Sequence, residues 1–158
     1  MTDLPESAAR VAAAARDLGL AVEVREMPAS TRTAEEAAAA CGCAVAQIVK
    51  SLIFRGRTTG TPYLFLVSGA NRVDEKAVAA SLGEALKRTD ADDVRAITGY
   101  AIGGIPPLGH ATPLVPHMDE DLLAHDVVWA AAGTPHAVFP VAPKALAEAT
   151  GARILRVK

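Results

Sequence analysis

Two apolar segments separated by a short polar one constrain the fold of this 158-residue chain more than any other feature. Residues 48–54 and 63–67 are rich in β-branched and aromatic side chains. The polar loop at residues 55–60 between them contains Gly56 and Gly60. Apolar runs joined by a glycine-containing polar loop are typical of a β-hairpin. The pattern therefore predicts an antiparallel pair of strands.

Helical segments surround this hairpin and do not alternate strictly with strands. Thr33 followed by Glu36 fits a capping box, and Gly19, Gly83 and Gly99 follow predicted helix ends. The predicted helices or helical turns are residues 7–18, 33–42, 45–47, 74–82, 90–98, 119–123 and 143–150. The further predicted strands are residues 21–27, 86–88, 113–115, 127–131, 137–141 and 153–157.

The chain is expected to be one α+β domain over residues 1–158 with a mixed sheet. Its length suits one ordinary domain, and 51% hydrophobic residues can form a core without disulfides or metals. No repeat, linker or charge block divides it. Cys41 and Cys43 are too close in sequence for an unstrained disulfide, so we expect reduced thiols.

Composition argues against several functional classes. A formal net charge of −2 provides no global attraction for polyanions, and aromatic residues are only 4% of the chain, so DNA binding and RNA coating are not expected. The apolar runs are far shorter than the roughly 20 residues that span a bilayer. The N-terminal residues 1–6 carry no signal-peptide pattern. We therefore expect a cytoplasmic protein that does not contact membranes.

Lys50 is the first candidate for chemistry. It lies within residues 47–52, a segment whose pattern is otherwise that of buried residues. A lysine is costly to bury unless a partner or a cavity receives its ammonium group, so we expect its side chain to point into a cleft. The alternative is a surface lysine on the solvent-exposed face of the strand.

The second candidate is the loop that contains Gly103, Gly104, Ile105, Pro106 and Pro107. Consecutive glycines leave peptide N–H groups unshielded, and the prolines fix the chain that follows. The loop can therefore present donors to a carbonyl or an oxyanion. The same residues are equally typical of a rigid turn without a catalytic role.

The third candidate is Gly133-Thr134-Pro135-His136, which lies between two predicted strands. Its hydroxyl and imidazole could line the rim of a pocket, or the segment could be an ordinary hairpin turn. A zinc site built from Cys41, Cys43 and the histidines is disfavoured, because a Cys-x-Cys pair without a second spaced pair is a weak signal. No metal and no other cofactor is expected.

Four segments together resemble the YbaK/EbsC family. They are Gln47-Ile48-Val49-Lys50-Ser51-Leu52, Ser68-Gly69-Ala70-Asn71-Arg72-Val73-Asp74, Thr98-Gly99-Tyr100-Ala101-Ile102-Gly103-Gly104-Ile105-Pro106-Pro107-Leu108-Gly109-His110 and Trp129-Ala130-Ala131-Ala132-Gly133-Thr134-Pro135-His136. They occur in the family's order and spacing and cover nearly the whole chain. The resemblance implies the fold of YbaK and the prolyl-tRNA synthetase associated domain, with a largely antiparallel, barrel-like sheet surrounded by helices.

The resemblance also implies a function. Family members resemble the editing domain inserted in bacterial prolyl-tRNA synthetases and act as freestanding deacylases on mischarged tRNA. It implies that this chain hydrolyses, in trans, the ester that joins a small amino acid such as cysteine or alanine to tRNA-Pro. The acceptor CCA end of mischarged tRNA would be its partner, and an aminoacyl-tRNA synthetase is a second candidate partner.

Site residues are implied in the same way. Lys50 resembles the family lysine that approaches the terminal adenosine phosphate or the ester carbonyl, and Gly103 and Gly104 resemble the start of the loop that positions the aminoacyl group. The implied substrate-binding residues are Ser68, Asn71, Ile105, Pro106, Pro107, Gly133, Thr134 and His136. Because an aminoacyl ester is already activated, holding it against a water, its own ribose hydroxyl or its own thiol can suffice. This chemistry is substrate-assisted hydrolysis without an enzyme nucleophile.

Two other functions stay open at this point. One is a non-catalytic module that binds an aminoacyl-adenosine-like ligand or docks on a synthetase, and the other is a metal-dependent hydrolase. The deacylase hypothesis requires Lys50 and the double-glycine bend to border one cavity, because both must reach the same acyl carbonyl. The amino acid that is removed and the tRNA that carries it are not distinguished by these motifs.

Overall fold

The predicted hairpin forms the centre of an eight-stranded sheet in the computed structural model, which describes residues 4–158. Residues 1–3, part of the N-terminal segment without a signal-peptide pattern, lie outside the described residues. The strands are β1 (Arg25–Glu26), β2 (Ile48–Gly56), β3 (Pro62–Ser68), β4 (Leu86–Arg88), β5 (Pro116–Asp119), β6 (Val128–Ala131), β7 (Ala137–Val141) and β8 (Arg153–Leu155). The helices are α1 (Glu6–Asp17), α2 (Ala34–Cys41), α3 (Glu75–Leu82), α4 (Ala91–Thr98) and α5 (Pro143–Thr150), with 3-10 turns at Val45–Gln47 and Glu120–Ala124.

The sheet is mixed and open. Its strands follow the order β1-β7-β6-β2-β3-β5-β8, and β4 pairs with β2. The pairs β1–β7, β2–β3, β2–β4 and β6–β7 are antiparallel, whereas β2–β6, β3–β5 and β5–β8 are parallel. The predicted α+β class with a mixed sheet is therefore confirmed. Because β1 and β8 are the two ends of this order within residues 4–158, the sheet does not close into the barrel that the resemblance suggested.

Side-chain caps explain where several helices begin. The Thr33 hydroxyl accepts a hydrogen bond from the Glu36 N–H at 3.1 Å, and the Glu36 carboxylate accepts one from the Thr33 N–H at 3.3 Å, so the predicted capping box precedes α2. Asp74 and Asp90 cap α3 and α4 through their carboxylates.

Across residues 4–158, each helix is too short or too polar to cross a bilayer.

The strand predicted at residues 113–115 is wrong. Strand β5 begins at Pro116, which lies opposite Leu64 in the parallel pair with β3. All four residues of β5 are buried, whereas Val115 is 54% exposed. A proline lacks the N–H of a ladder donor and is tolerated as the first residue of a strand. The strand predicted at residues 21–27 is also shorter than expected, because only Arg25 and Glu26 pair with β7.

Strand β2 contributes residues to three hydrophobic clusters, and its first residue, Ile48, packs with Ala37 and Ala38 of α2 in one of them. Val49 and Ile53 belong to the largest cluster, and Leu52 packs against another, which is centred on buried residues of β3 and α3. Successive side chains of a strand point to opposite faces of the sheet. Lys50 therefore lies on the same face as Leu52, and Ser51 on the face of Val49.

The carboxylate of Glu84 closes the loop between β2 and β3. It accepts hydrogen bonds from the N–H groups of Thr58 and Thr59 at 3.1 and 3.0 Å, and from the hydroxyls of Thr59 and Tyr63 at 2.7 Å each. These bonds, that of the Thr59 hydroxyl first, lower the pKa of Glu84 from 4.5 to about 2. The ionised form is thus favoured in the folded state.

This loop provides a test of the fold. A carboxylate whose pKa is depressed by folding stabilises the protein above its unfolded pKa of 4.5, and the contribution is lost as the pH falls towards about 2. We therefore expect the free energy of unfolding, measured by urea denaturation, to fall less steeply with decreasing pH in Glu84→Gln than in the wild-type protein. Glu148→Gln on α5 is the control for removal of a carboxylate alone. A fall as steep in Glu84→Gln as in the control contradicts the assignment.

Candidate functional site

Lys50 lies near the start of β2, where two surface hollows meet. The first has a volume of about 240 Å³ and the second about 440 Å³. Both hollows are lined by the same five residues, Lys50, Ser51, Leu52, Ile102 and Ile105. Gly103 lines the first hollow as well. The lysine and the double-glycine bend thus border one cavity, which is the juxtaposition that the deacylase hypothesis requires.

The ammonium of Lys50 is held at the wall of this cavity by a backbone carbonyl. Its Nζ donates to the carbonyl oxygen of Asn71 at 2.5 Å. Burial lowers the pKa of Lys50 below its ordinary value; Glu35 opposes the shift, Arg72 adds to it, and Asp119 opposes it. The cation is therefore only partly compensated inside the protein. A negatively charged or strongly polar ligand in either hollow would stabilise it.

Ser68 and Asn71 lie behind the lysine and not in the lining of the two hollows. The Asn71 amide donates to the carboxylates of Asp119 and Asp121 at 2.8 Å each, and Asp119 is 1% exposed. The Ser68 N–H also donates to Asp119, at 3.1 Å, and the Ser68 hydroxyl donates to the carbonyl of Ala46 at 2.8 Å. This network fixes the turn after β3, so that the Asn71 carbonyl faces Lys50.

The electrostatics of Lys50 can be tested with two charge-removing variants. Arg72 is a like charge that disfavours the ammonium, so Arg72→Gln is expected to raise the pKa of Lys50. Glu35 is an opposite charge, so Glu35→Gln is expected to lower it. The measurement is an NMR titration of the lysine ε-methylene resonance, with Lys50→Met used to assign the signal. Shifts of the same sign in both variants contradict this arrangement of charges.

The two glycines of the bend have different surroundings. Gly103 has a φ of 99°, and a Cβ built on it would meet the Arg32 side chain, at 2.7 Å from Cγ. A Cβ on the buried Gly104 would meet three backbone atoms of Thr134 at 2.7 to 2.9 Å. The Gly104 carbonyl accepts from the Gly133 N–H at 2.8 Å, and its own N–H reaches the Ala101 carbonyl at 3.3 Å.

These contacts separate the roles of the two residues. Within residues 4–158 the N–H of Gly103 has no hydrogen-bond acceptor, and Gly103 lines the first hollow beside Lys50. Gly104 is instead the point where the loop packs on the turn between β6 and β7. The Gly103 amide is therefore a donor available to a ligand at this hollow, and Gly104 fixes the loop beside it.

The prolines of the loop face away from the cavity. Pro106 and Pro107 are buried, and the Pro106 carbonyl lies 2.7 Å from Nε2 of His110. Burial lowers the pKa of His110, and the bond to Pro106 opposes this shift. Pro107 lines a separate groove beside α1, together with Leu18. Of the predicted loop residues, only Gly103 and Ile105 line the cavity with Lys50.

The predicted segment at residues 133–136 forms the turn between β6 and β7. The Thr134 hydroxyl accepts from the N–H groups of His136 and Ala137 at 3.2 and 3.1 Å. His136 is exposed, its Nδ1 lies 3.3 Å from the carbonyl of Ala29, and it does not line either hollow. In this conformation Gly133 and Thr134 contact the glycine loop, and the His136 imidazole does not reach the cavity.

Several residues of the first hollow were not singled out from the sequence. They are mostly small residues, together with the basic Arg32 and the aromatic Trp129: Thr31, Arg32, Thr33, Ala34, Ala37, Trp129, Ala130 and Ala131. The Thr31 N–H and hydroxyl donate to the Pro135 carbonyl at 2.7 and 3.0 Å, which attaches the start of α2 to the β6–β7 turn. Two sequence signals fall here, the capping box that marks the start of α2 and the family-like segment that begins at Trp129, and neither predicts a cavity wall.

The cysteines do not form a reactive centre. Burial raises the pKa of Cys41 to about 11, with Cys43 adding to the shift and Arg25 opposing it, and burial also raises the pKa of Cys43. Both thiols are therefore protonated at neutral pH, whereas a cysteine nucleophile must be a thiolate. In the part of the chain from residue 4 onwards, no three His, Cys, Asp or Glu side chains are placed to hold a metal ion.

Comparison with known proteins places this site in a family. Residues 28–149 match the family "Aminoacyl-tRNA editing domain". The chain is 30% identical to uncharacterized protein YwhH of Bacillus subtilis (strain 168) over 126 residues, 80% of each chain. It is 25% identical to EbsC of Enterococcus faecalis (strain ATCC 700802 / V583), a candidate Cys-tRNA(Pro)/Cys-tRNA(Cys) deacylase, over 79% of this chain and 76% of that one.

A solved structure extends the likeness to the fold. The crystal structure of a candidate trans-editing enzyme for prolyl-tRNA synthetase is 50% identical and superposes with a TM-score of 0.92, covering 99% of both chains. The matched family region includes Lys50, the glycine loop and the β6–β7 turn. The chain therefore belongs to the aminoacyl-tRNA editing domain family and, within it, to the YbaK/EbsC proteins that its motifs resemble.

Proposed function

We propose that this protein is a trans-editing deacylase that hydrolyses the ester of a small amino acid on a mischarged tRNA. Cysteine and alanine on tRNA-Pro are the first candidates, because similar proteins are described as acting on Cys-tRNA(Pro) or as serving prolyl-tRNA synthetase. The observation that carries the proposal is the shared cavity of Lys50 and the unpaired Gly103 N–H. Residues 1–158 would act as one freestanding domain in the cytoplasm.

The need for such an activity follows from binding energies. A synthetase pocket distinguishes amino acids that differ by one methylene by only about 1–3 kcal/mol, and a small amino acid always fits a larger site. A second site that hydrolyses the wrong product restores accuracy. The first hollow, bordered by Thr31, Ala34 and Ala37, suits a small side chain.

The two hollows would divide the substrate between them. The amino acid side chain would occupy the first hollow, and the terminal adenosine of tRNA would occupy the second, which Arg72 and Arg88 border. Lys50 lies at the junction, so its ammonium can contact the terminal phosphate or the ester carbonyl. Local cations are required for this, because the chain as a whole carries a charge of −2.

The chemistry would be substrate-assisted. The Gly103 N–H and the Lys50 ammonium would stabilise negative charge on the carbonyl oxygen while a water attacks the carbonyl carbon. The C–O bond to the ribose then breaks, the ribose oxygen takes a proton, and the free amino acid leaves. The ribose hydroxyl of the substrate, or the thiol of a cysteinyl group, would position the water and relay its proton to the departing ribose oxygen. No enzyme side chain forms a covalent bond.

Deacylation of a tRNA-Pro panel tests this function. We expect the protein to hydrolyse Ala-tRNA-Pro or Cys-tRNA-Pro at least tenfold faster than Pro-tRNA-Pro, with unchanged rates in the presence of EDTA. Each rate is corrected for spontaneous hydrolysis. Tight binding without hydrolysis of any member would instead identify a non-catalytic module that recognises the aminoacyl end. Loss of activity with EDTA would contradict the metal-independent mechanism.

A further inference from the structure

One edge of β2 contains a peptide group that the sheet does not use. In the antiparallel pair with β3, the Ile48 carbonyl accepts from the Gly69 N–H at 2.7 Å. Because hydrogen-bonding alternates along an antiparallel strand, even-numbered residues of β2 direct their N–H and C=O groups towards β3. Val49, Ser51, Ile53 and the other odd-numbered residues direct theirs to the opposite edge.

Ser51 is the residue left unpaired at that opposite edge. Val49 pairs with Ala130 of β6, and this pairing ends there. Further along, the Ile53 carbonyl accepts from the Thr89 hydroxyl at 2.8 Å, and β4 begins to pair. In residues 4–158 no partner is found on this edge for the Ser51 N–H or C=O, and the buried Ser51 hydroxyl also has none.

The double-glycine bend explains why the sheet opens at this residue. In a parallel ladder that continued past Val49, the next N–H for the Ser51 carbonyl would come from Gly133. Gly133 instead donates to the Gly104 carbonyl at 2.8 Å, while the Ala132 N–H continues the β6–β7 ladder by donating to the Ala137 carbonyl at 2.8 Å. The glycine loop thus accepts the hydrogen bond that would otherwise have paired the Ser51 carbonyl. Ser51 lines both hollows.

We propose that the Ser51 peptide binds the aminoacyl group of the substrate as one additional residue of the sheet. The Ser51 carbonyl accepts from the substrate's α-ammonium group, and the Ser51 N–H donates to the ester carbonyl. An α-amino acid carries this donor and acceptor on one edge, as does a residue of a hydrogen-bonded antiparallel pair. The site therefore takes α-amino acid esters as a class. This inference rests on the proposed function.

Recognition through the peptide separates two requirements of editing. The main-chain atoms of the amino acid are held by Ser51 whatever the side chain is, and the side chain is selected by the size of the first hollow. The Ser51 N–H would also be a second backbone donor to the carbonyl, beside Gly103. An ester that lacks the α-amino group loses the bond to the Ser51 carbonyl and binds less well.

Amide hydrogen exchange measured by NMR tests the unpaired edge. In the free protein the Ser51 N–H is expected to exchange faster than those of Lys50 and Leu52, which are bonded to β3. Saturation with 3′-alanylamino-3′-deoxyadenosine, which is not hydrolysed, is expected to slow Ser51 exchange at least tenfold. Exchange of Ser51 that is unchanged while the analogue is bound overturns the proposal.

Two activity measurements test the same contact. Ser51→Pro removes the N–H without removing a bond to β3, and it is expected to lower kcat/KM at least tenfold more than Ser51→Ala does. Wild-type protein should hydrolyse propionyl-tRNA, which lacks the α-amino group, at least tenfold less efficiently than alanyl-tRNA after correction for spontaneous hydrolysis. Equal efficiency for the two esters contradicts the contact, even where Ser51→Pro does not fold.

The outcomes distinguish this inference from the proposed function. If no mischarged tRNA is hydrolysed but the analogue protects the Ser51 amide, the deacylase function fails and the binding edge stands. If mischarged tRNA is hydrolysed but Ser51 amide exchange does not change when the analogue is bound, the deacylase function is supported and the proposed binding by the Ser51 peptide is contradicted.

Discussion

Replacement of Lys50 by alanine is expected to lower kcat/KM for deacylation by about 10²–10³, the typical cost of removing one preorganised electrostatic contact to a developing oxyanion. Lys50 is the only lysine that lines either hollow, so no neighbouring ammonium replaces it among residues 4–158. Because burial disfavours its charge, the folded state should lose little stability. The measurements are kcat/KM on a mischarged tRNA and the thermal unfolding midpoint.

Two further variants separate the charge of Lys50 from its bulk. Lys50→Met keeps most of the side-chain volume without the ammonium and should be as impaired as Lys50→Ala. Lys144→Ala, an exposed lysine on α5 outside the lining of both hollows, controls for the loss of one positive charge and should keep the wild-type rate. Wild-type kcat/KM in Lys50→Met would remove Lys50 from the mechanism.

Gly104→Ala is expected to impair both stability and activity. The added methyl group would lie 2.7 to 2.9 Å from backbone atoms of Thr134, which cannot turn aside as a flexible side chain can. Overpacking of this kind costs about 1–3 kcal/mol in the free energy of unfolding. Relief requires the loop to move away from the β6–β7 turn, which breaks the bond between the Gly133 N–H and the Gly104 carbonyl and displaces Gly103 from Lys50.

Gly60→Ala is the matched control for this substitution. Gly60 has a φ of 73° in the loop between β2 and β3, and an added Cβ there meets nothing within 4 Å. Its cost is confined to the left-handed backbone conformation, about 1–2 kcal/mol, and kcat/KM should not change. Urea unfolding and the deacylation assay are compared for the two variants. If Gly104→Ala matches Gly60→Ala in activity, the loop does not depend on this contact.

Elements with local signals could be predicted from the sequence, whereas the cavity could only be predicted in part. The capping box of Thr33 and Glu36 depends on residues three apart, and it was predicted correctly. The convergence of Lys50 and Gly103 depends on how β2 and β6 pair, and only the resemblance to a family suggested it. The Ser51 peptide stays unpaired because the Gly133 N–H donates to another carbonyl, that of Gly104. No periodic pattern in the sequence predicts which carbonyl accepts this hydrogen bond.

The placements that the sequence did not predict have the same origin. Apolar residues at 113–115 fit a strand locally, but the parallel partner of β3 starts only at Pro116. His136 adjoins a recognisable motif, yet its side chain follows the outer surface of the turn towards Ala29. Arg32, which covers Gly103, lies in a segment without any pattern of its own. In each case tertiary pairing determined the placement, and side-chain type did not.

The parallel pairing of β2 with β6 has a consequence for the order in which the molecule assembles. The Gln47 side chain donates to the carbonyl of Val127, 80 residues away, and the β6 strand that follows forms one wall of the first hollow. Contacts between residues so distant in sequence form slowly and late, because a long loop must close first. A growing chain that has reached only α4 can form the β2–β3 hairpin and display Lys50, but it lacks the β6 wall of the first hollow, so we expect catalysis to begin only after β6 has been synthesised.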